Sequence, residues 1–80
     1  SNVALENAHD AVIEAIELII VMDPDTVSWF ISEPVTYLSA LLSYCEYHEE
    51  YEYCSSLKRV LDYVKTKVEQ DESVKSNNIN

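Results

Sequence analysis

Apolar residues in the first third of the chain recur at three- and four-residue steps: Leu5, Ala8, Val12, Ala15/Ile16 and Ile19. That spacing marks a helix with one buried face and predicts a first helix over residues 3–22. Ile13 and Ile20 widen the face, so its C-terminal half is expected to be buried from two sides. Asp23-Pro24 ends this helix and starts another, because Asp caps orphan N–H groups and Pro fits the first helical position. The second helix, residues 24–31, carries Val27, Trp29, Phe30 and Ile31 and is expected to plug the bundle. Ser32-Glu33-Pro34 repeats the stop-and-start signal, with Ser32 or Glu33 as cap. A third helix over residues 33–47 sets Val35, Leu38, Leu42 and Cys45 on one face and Tyr37, Leu41, Tyr44 and His48 on the next. A fourth over residues 50–69 carries Tyr51, Cys54, Leu57, Leu61, Val64 and Val68, close to a heptad seam. Beyond Gln70 the chain turns polar, with isolated Val74 and Ile79. The expectation is an all-α fold: a compact antiparallel bundle of three long helices plus one short helix in a single domain, residues 1–70, followed by a disordered polar tail, residues 71–80.

Composition sharpens this picture. The 80 residues include no Gly and only two Pro. Tight hairpin turns and phosphate-cradling loops prefer Gly, so its absence favours helices with short connections. A chain this small buries only about 60% of its unfolded surface, and self-association is a usual remedy. The longest apolar run, Leu18 to Met22, falls far short of the roughly 20 residues a membrane span needs. No charged-then-apolar leader opens the chain. Two cysteines in an acidic helical chain suggest a reducing compartment, so the expected location is cytoplasmic.

Charge is distributed unevenly. No Lys or Arg precedes Lys58, whereas the first 57 residues hold eleven Asp and Glu; the net charge is −10. Such a field repels nucleic acid and anionic membrane and favours a basic protein surface or a cation.

Residues 38–64 read as two antiparallel helices joined around Tyr47 to Glu50. Within them, Glu50-Tyr51-Glu52 forms an acidic-aromatic-acidic turn, Cys54-Ser55 a small pair, and Leu57-Lys58 an apolar and a basic position. This stretch resembles the UVR helical hairpin of UvrB and UvrC, and also tetratricopeptide-like hairpins. The resemblance covers about a third of the chain and implies protein–protein contact through a paired hairpin. It carries over a mode of contact and no repair role.

Candidate chemistry is sparse. Cys45, His48 and Cys54 lie around the proposed turn, but Cys-x2-His-x5-Cys matches no strong zinc signature. Core thiols are the favoured reading, with a redox pair and metal ligands as alternatives. Glu14/Glu17, Glu46/Glu49 and Glu49/Glu52 place carboxylate pairs on one helical face. All-α nucleotide pyrophosphohydrolases hold Mg²⁺ with similar pairs, yet the second pair here is Glu-x-x-Glu and no basic group lies nearby to grip a phosphate. A solvated acidic face is preferred, and the chain is not expected to be an enzyme or to need a cofactor. Neither His9 nor His48 sits in a nucleophile motif, and no Ser lies in a Gly-x-Ser-x-Gly elbow.

The residues therefore suggest a small adaptor or regulatory protein, expected to be a homodimer, that contacts a protein partner and neither nucleic acid nor membrane directly. Tyr37, Leu41, Tyr44, Tyr47 and His48 would form its apolar contact. Glu46, Glu49, Glu50 and Glu52 would steer a basic partner. The alternative is a phage-type DNA mimic directed at a basic nucleic-acid-binding protein. In that reading Glu6, Asp10, Glu14 and Glu17, about 5–6 Å apart on a helix, imitate successive phosphates.

Overall fold

The computed structural model describes residues 2–78, with side chains through residue 73. Ser1, Ile79 and Asn80 lie outside the described residues. Four helices follow one another: α1 (Asn2–Val21), α2 (Pro24–Phe30), α3 (Pro34–Tyr47) and α4 (Tyr51–Asn78). No strand occurs among the described residues. The molecule extends 58 × 21 × 20 Å, and its long dimension follows α4, whose 28 residues rise about 42 Å at 1.5 Å each.

Local chemistry sets the boundaries. Asp23 caps α2: its side chain accepts from the Asp25 N–H at 3.0 Å, and Pro24 supplies the first turn. Glu33 occupies the N-cap of α3 without a side-chain cap bond; its carbonyl accepts from the Tyr37 N–H at 3.0 Å. The α3–α4 connection is a Schellman turn. The Glu50 N–H donates to the Cys45 carbonyl at 2.9 Å and the Glu49 N–H to the Glu46 carbonyl at 3.2 Å. This motif wants a left-handed residue at C′, and Glu49 takes it with φ of 56°. The helix that was expected to end near Glu69 continues to Asn78, so residues 71–78 are helical rather than a disordered tail. No Gly or Pro interrupts that stretch, and Gln, Glu and Lys are good helix formers.

The core runs along α4. Cys54, Leu57, Val60, Leu61 and Val64 pack with Leu38 and Cys45 of α3, Ile16 and Ile19 of α1, and Val27 of α2. Each such buried aliphatic contributes about 1.5–3 kcal/mol. Among the described residues no polar or charged side chain is buried.

Three expectations change. Leu5 and Ala8 do not join the buried face of α1; Leu5 is 72% exposed. His9 already lies beside His48, with ring centroids 5.0 Å apart, level with the α3–α4 turn. The seven described residues before it therefore project about 10 Å past the turn, where no helix covers them. Tyr51 is likewise exposed, because it opens α4 at the turn. Finally, α2 inserts only Val27 and, in part, Ile31. Trp29 follows Val27 by two residues, about 200° around the helix, and turns away from the core; Phe30, three residues on, closes the last turn of α2 at the core's edge beside Ile19 and Ile31; the two stand 74% and 70% exposed.

Candidate functional site

The expected contact strip on α3 divides into two places. Tyr44, Tyr47 and His48 gather at the hairpin tip, together with Glu46, Glu49, Glu50 and Glu52. Tyr37 lies eleven residues earlier, about 16 Å along the helix. Leu41, between them, is partly buried against the core and offers little to a partner.

At the tip, α1 supplies a residue that sequence spacing did not bring there. Tyr44 and His9, 35 positions apart, share a hydrogen bond between the hydroxyl and Nδ1. The Tyr44 and His48 rings lie 4.3 Å apart between centroids. Tyr47 packs edge-on against His48 at 5.1 Å and is 83% exposed. Glu46, Glu49 and Glu52 are exposed and Glu50 half-buried. The tip is thus an aromatic and imidazole cluster ringed by carboxylates.

The two cysteines face each other beneath this tip. Both are free and buried. Burial, then the neighbouring Cys54 and Glu50, pushes the Cys45 thiol up to about 11. A thiol held protonated is a poor nucleophile and a poor metal ligand, so the geometry fits core thiols. Among the described residues no three of His, Cys, Asp and Glu cluster closely enough to hold a metal ion.

At the opposite end, α1, α2 and α3 enclose an apolar groove of about 290 Å³, lined by Ala15, Leu18, Ile19, Met22, Phe30, Ile31 and Tyr37. Leu18 is 61% exposed, and Trp29 meets Phe30 edge-on at 6.3 Å. A second depression shares Ile31 and Tyr37 and adds Glu33 and Thr36. Of the residues lining this groove, Tyr37 alone is expected from the sequence as a contact residue. The missed signal is the series Ala4, Ala8, Ala11, Ala15, Leu18 and Met22, whose four-three-four spacing is a heptad seam. It lies beside the core-facing stripe.

Two tyrosines outside both places carry raised pKa values, and one of them ties helices together. The Tyr63 hydroxyl donates to Asp25 Oδ1 at 2.6 Å, joining α4 to α2; that bond, then burial, raises its pKa. Tyr53 has its pKa raised by burial and then by the nearby carboxylate of Glu17.

Among the described residues no helix is long and apolar enough to cross a membrane. The chain matches no protein-family model, no curated protein and no solved structure.

Proposed function

We propose that this chain is a small acidic interaction protein, an adaptor or regulator that works in the cytoplasm and uses its helices to contact other proteins. The observation that carries the reading is the amount of large apolar side chain left in solvent. Trp29, Phe30, Leu18 and Tyr47 are each more than 60% exposed, and exposed apolar patches of this kind mark interaction sites. The surface totals 5867 Å², against about 4,900 Å² expected for a chain of this mass. Part of that excess comes from the projecting ends of α1 and α4.

The scaffold we propose is the antiparallel bundle of three long helices and one short one, with the α3–α4 hairpin as a self-association surface. Tyr44, Tyr47 and His48 would supply apolar contact there. Lys58 and Arg59 of one copy would face the carboxylates of Glu46, Glu49, Glu50 and Glu52 in the other. Sedimentation equilibrium in low and high salt tests this half of the reading. A dimer that persists in high salt and weakens with Tyr47→Ser supports it, whereas a monomer in both salts removes it.

A DNA-mimic reading has its own support: Glu6, Asp10, Glu14 and Glu17 are all exposed on α1, with no Lys or Arg earlier than Lys58. A mimic competes with duplex DNA for a basic DNA-binding protein, with affinity falling steeply as salt rises. Failure to displace DNA at low salt ends that reading.

A further inference from the structure

We propose that the α1–α2–α3 groove receives the apolar face of a basic amphipathic helix from another protein. The inference rests on the interaction reading above and specifies its partner and place. The floor is apolar and open: Met22 and Ile31 are half-buried, while Leu18, Phe30 and Tyr37 stand partly in solvent. At about 290 Å³ the groove falls just short of the roughly 300–1,000 Å³ typical of small-molecule sites, and it suits inserted side chains of a larger partner. The shape of its long wall favours a helix. The α1 seam that leads into it is built of Ala8, Ala11 and Ala15 at heptad spacing, and small side chains let a second helix axis approach closely.

Charge selects the occupant. On α1, Glu14 stands next to Ala15 in sequence and four residues before Leu18, so it borders the seam, and it is exposed, as are Asp10 and Glu17. Glu33 borders the depression that continues the groove past Tyr37. No basic residue lines either depression. A second copy laid along α1 would bring the same carboxylates to the same seam, because α1, α2 and α3 contain no Lys or Arg. Like charges so placed disfavour self-pairing, whereas a partner helix flanked by Lys or Arg meets Glu14 beside the seam and Glu33 at the neighbouring depression. This is helix-in-groove recognition, with anchors expected at three- and four-residue steps.

The chain carries its own reporter, since Trp29 is its single Trp and lies against Phe30. The probe is a synthetic amphipathic peptide with Leu at three- and four-residue steps and Lys on both flanks; its control replaces Lys with Glu. Titration of the full chain with the Lys peptide is expected to shift Trp29 emission to the blue, saturably and less strongly in high salt, while the Glu peptide has no effect. Leu18→Ala and Phe30→Ala, both at exposed positions that leave the helical circular dichroism unchanged, should each weaken binding about tenfold or more. Tyr47→Ser should leave it unchanged. Equal binding of both peptides overturns the proposal, as does a groove already filled by a second copy, seen as a dimer that Phe30→Ala dissolves. Binding lost with Tyr47→Ser and kept with Phe30→Ala moves the contact to the hairpin tip, which sinks the groove and leaves the interaction reading standing. A chain that is monomeric in both salts and binds neither peptide sinks both.

Discussion

Glu49→Gly should stabilise the protein. Glu49 holds a φ of 56° at the C′ position of α3, the single positive-φ residue among those described. An L-residue with a Cβ in the left-handed region costs about 1–2 kcal/mol, from contact between Cβ and the following carbonyl. Glycine removes that contact but adds about 0.5–1 kcal/mol of backbone freedom to the unfolded chain. The difference is a net gain of about 0.5–1 kcal/mol, which for a domain of this size moves Tm up by about 2–8 °C. The substitution also deletes a carboxylate near Glu46, Glu50 and Glu52, so relief of repulsion could imitate the effect. Glu49→Ala separates the two causes, since it removes the charge and keeps the Cβ. Urea unfolding of all three proteins, followed by far-ultraviolet circular dichroism at fixed ionic strength, should rank Gly above Ala, with Ala close to the parent. If Ala gains as much as Gly, the backbone argument is refuted and the stabilisation belongs to charge.

Three other outcomes follow from the packing and the titrating groups. Leu57→Ala, at a fully buried position on α4, should cost about 2–5 kcal/mol out of a total near 4–12 kcal/mol for this length; a loss in urea unfolding below about 1 kcal/mol would mean that Leu57 is not central. Cys45 and Cys54 should resist a thiol reagent at neutral pH and react only as fast as the chain opens. Because burial raises the Cys45 pKa to about 11, its contribution to stability is whole below the unfolded value near 8.5 and is lost as pH climbs through the folded one; free-cysteine rates in the native chain would contradict this. Tyr63, whose bond to Asp25 raises its pKa, should ionise late in an ultraviolet titration, with its stabilising effect present below the ordinary tyrosine pKa and lost above the raised one. Tyr63→Phe should shrink that late phase, leaving the part due to Tyr53, and an unchanged curve would show that the bond does not control the ionisation.

How much of this was legible in the chain depended on whether a signal was local. Asp23-Pro24 and Ser32-Glu33-Pro34 place helix boundaries within a residue or two, because capping is decided by neighbouring atoms. The faces of α3 and α4 also read correctly at Leu38, Cys45, Leu57, Leu61 and Val64, since a single period of 3.6 governs each. Periodicity could not tell where a helix outruns its support. Leu5 keeps the spacing of the buried stripe but lies beyond the turn that would cover it. Nor could apolar character alone decide the fate of Trp29 and Phe30, because on a helix of seven residues one inward position, Val27, fixes the orientation of the rest. His9 and Tyr44, 35 positions apart, are joined only by the way α1 and α3 meet in the fold, a tertiary fact with no trace in either segment. The heptad seam of α1 was written in the sequence, yet it lies so close to the core stripe that the two merge in a linear reading.

The placement of the core along α4 also bears on how the chain is born. Ile16 and Ile19 share one core cluster with Leu57, Leu61 and Val64, about 40–50 residues later, which at roughly 5–20 residues per second takes a ribosome about 2–10 s. Through that interval α1 is an amphipathic helix with nothing to lie on, and its apolar stripe is open to chaperones or to another nascent chain. The α3–α4 hairpin, joined by a three-residue turn, can close as soon as α4 emerges. Of these helices, α1 is therefore the one that must wait, and α4 is the template on which it settles.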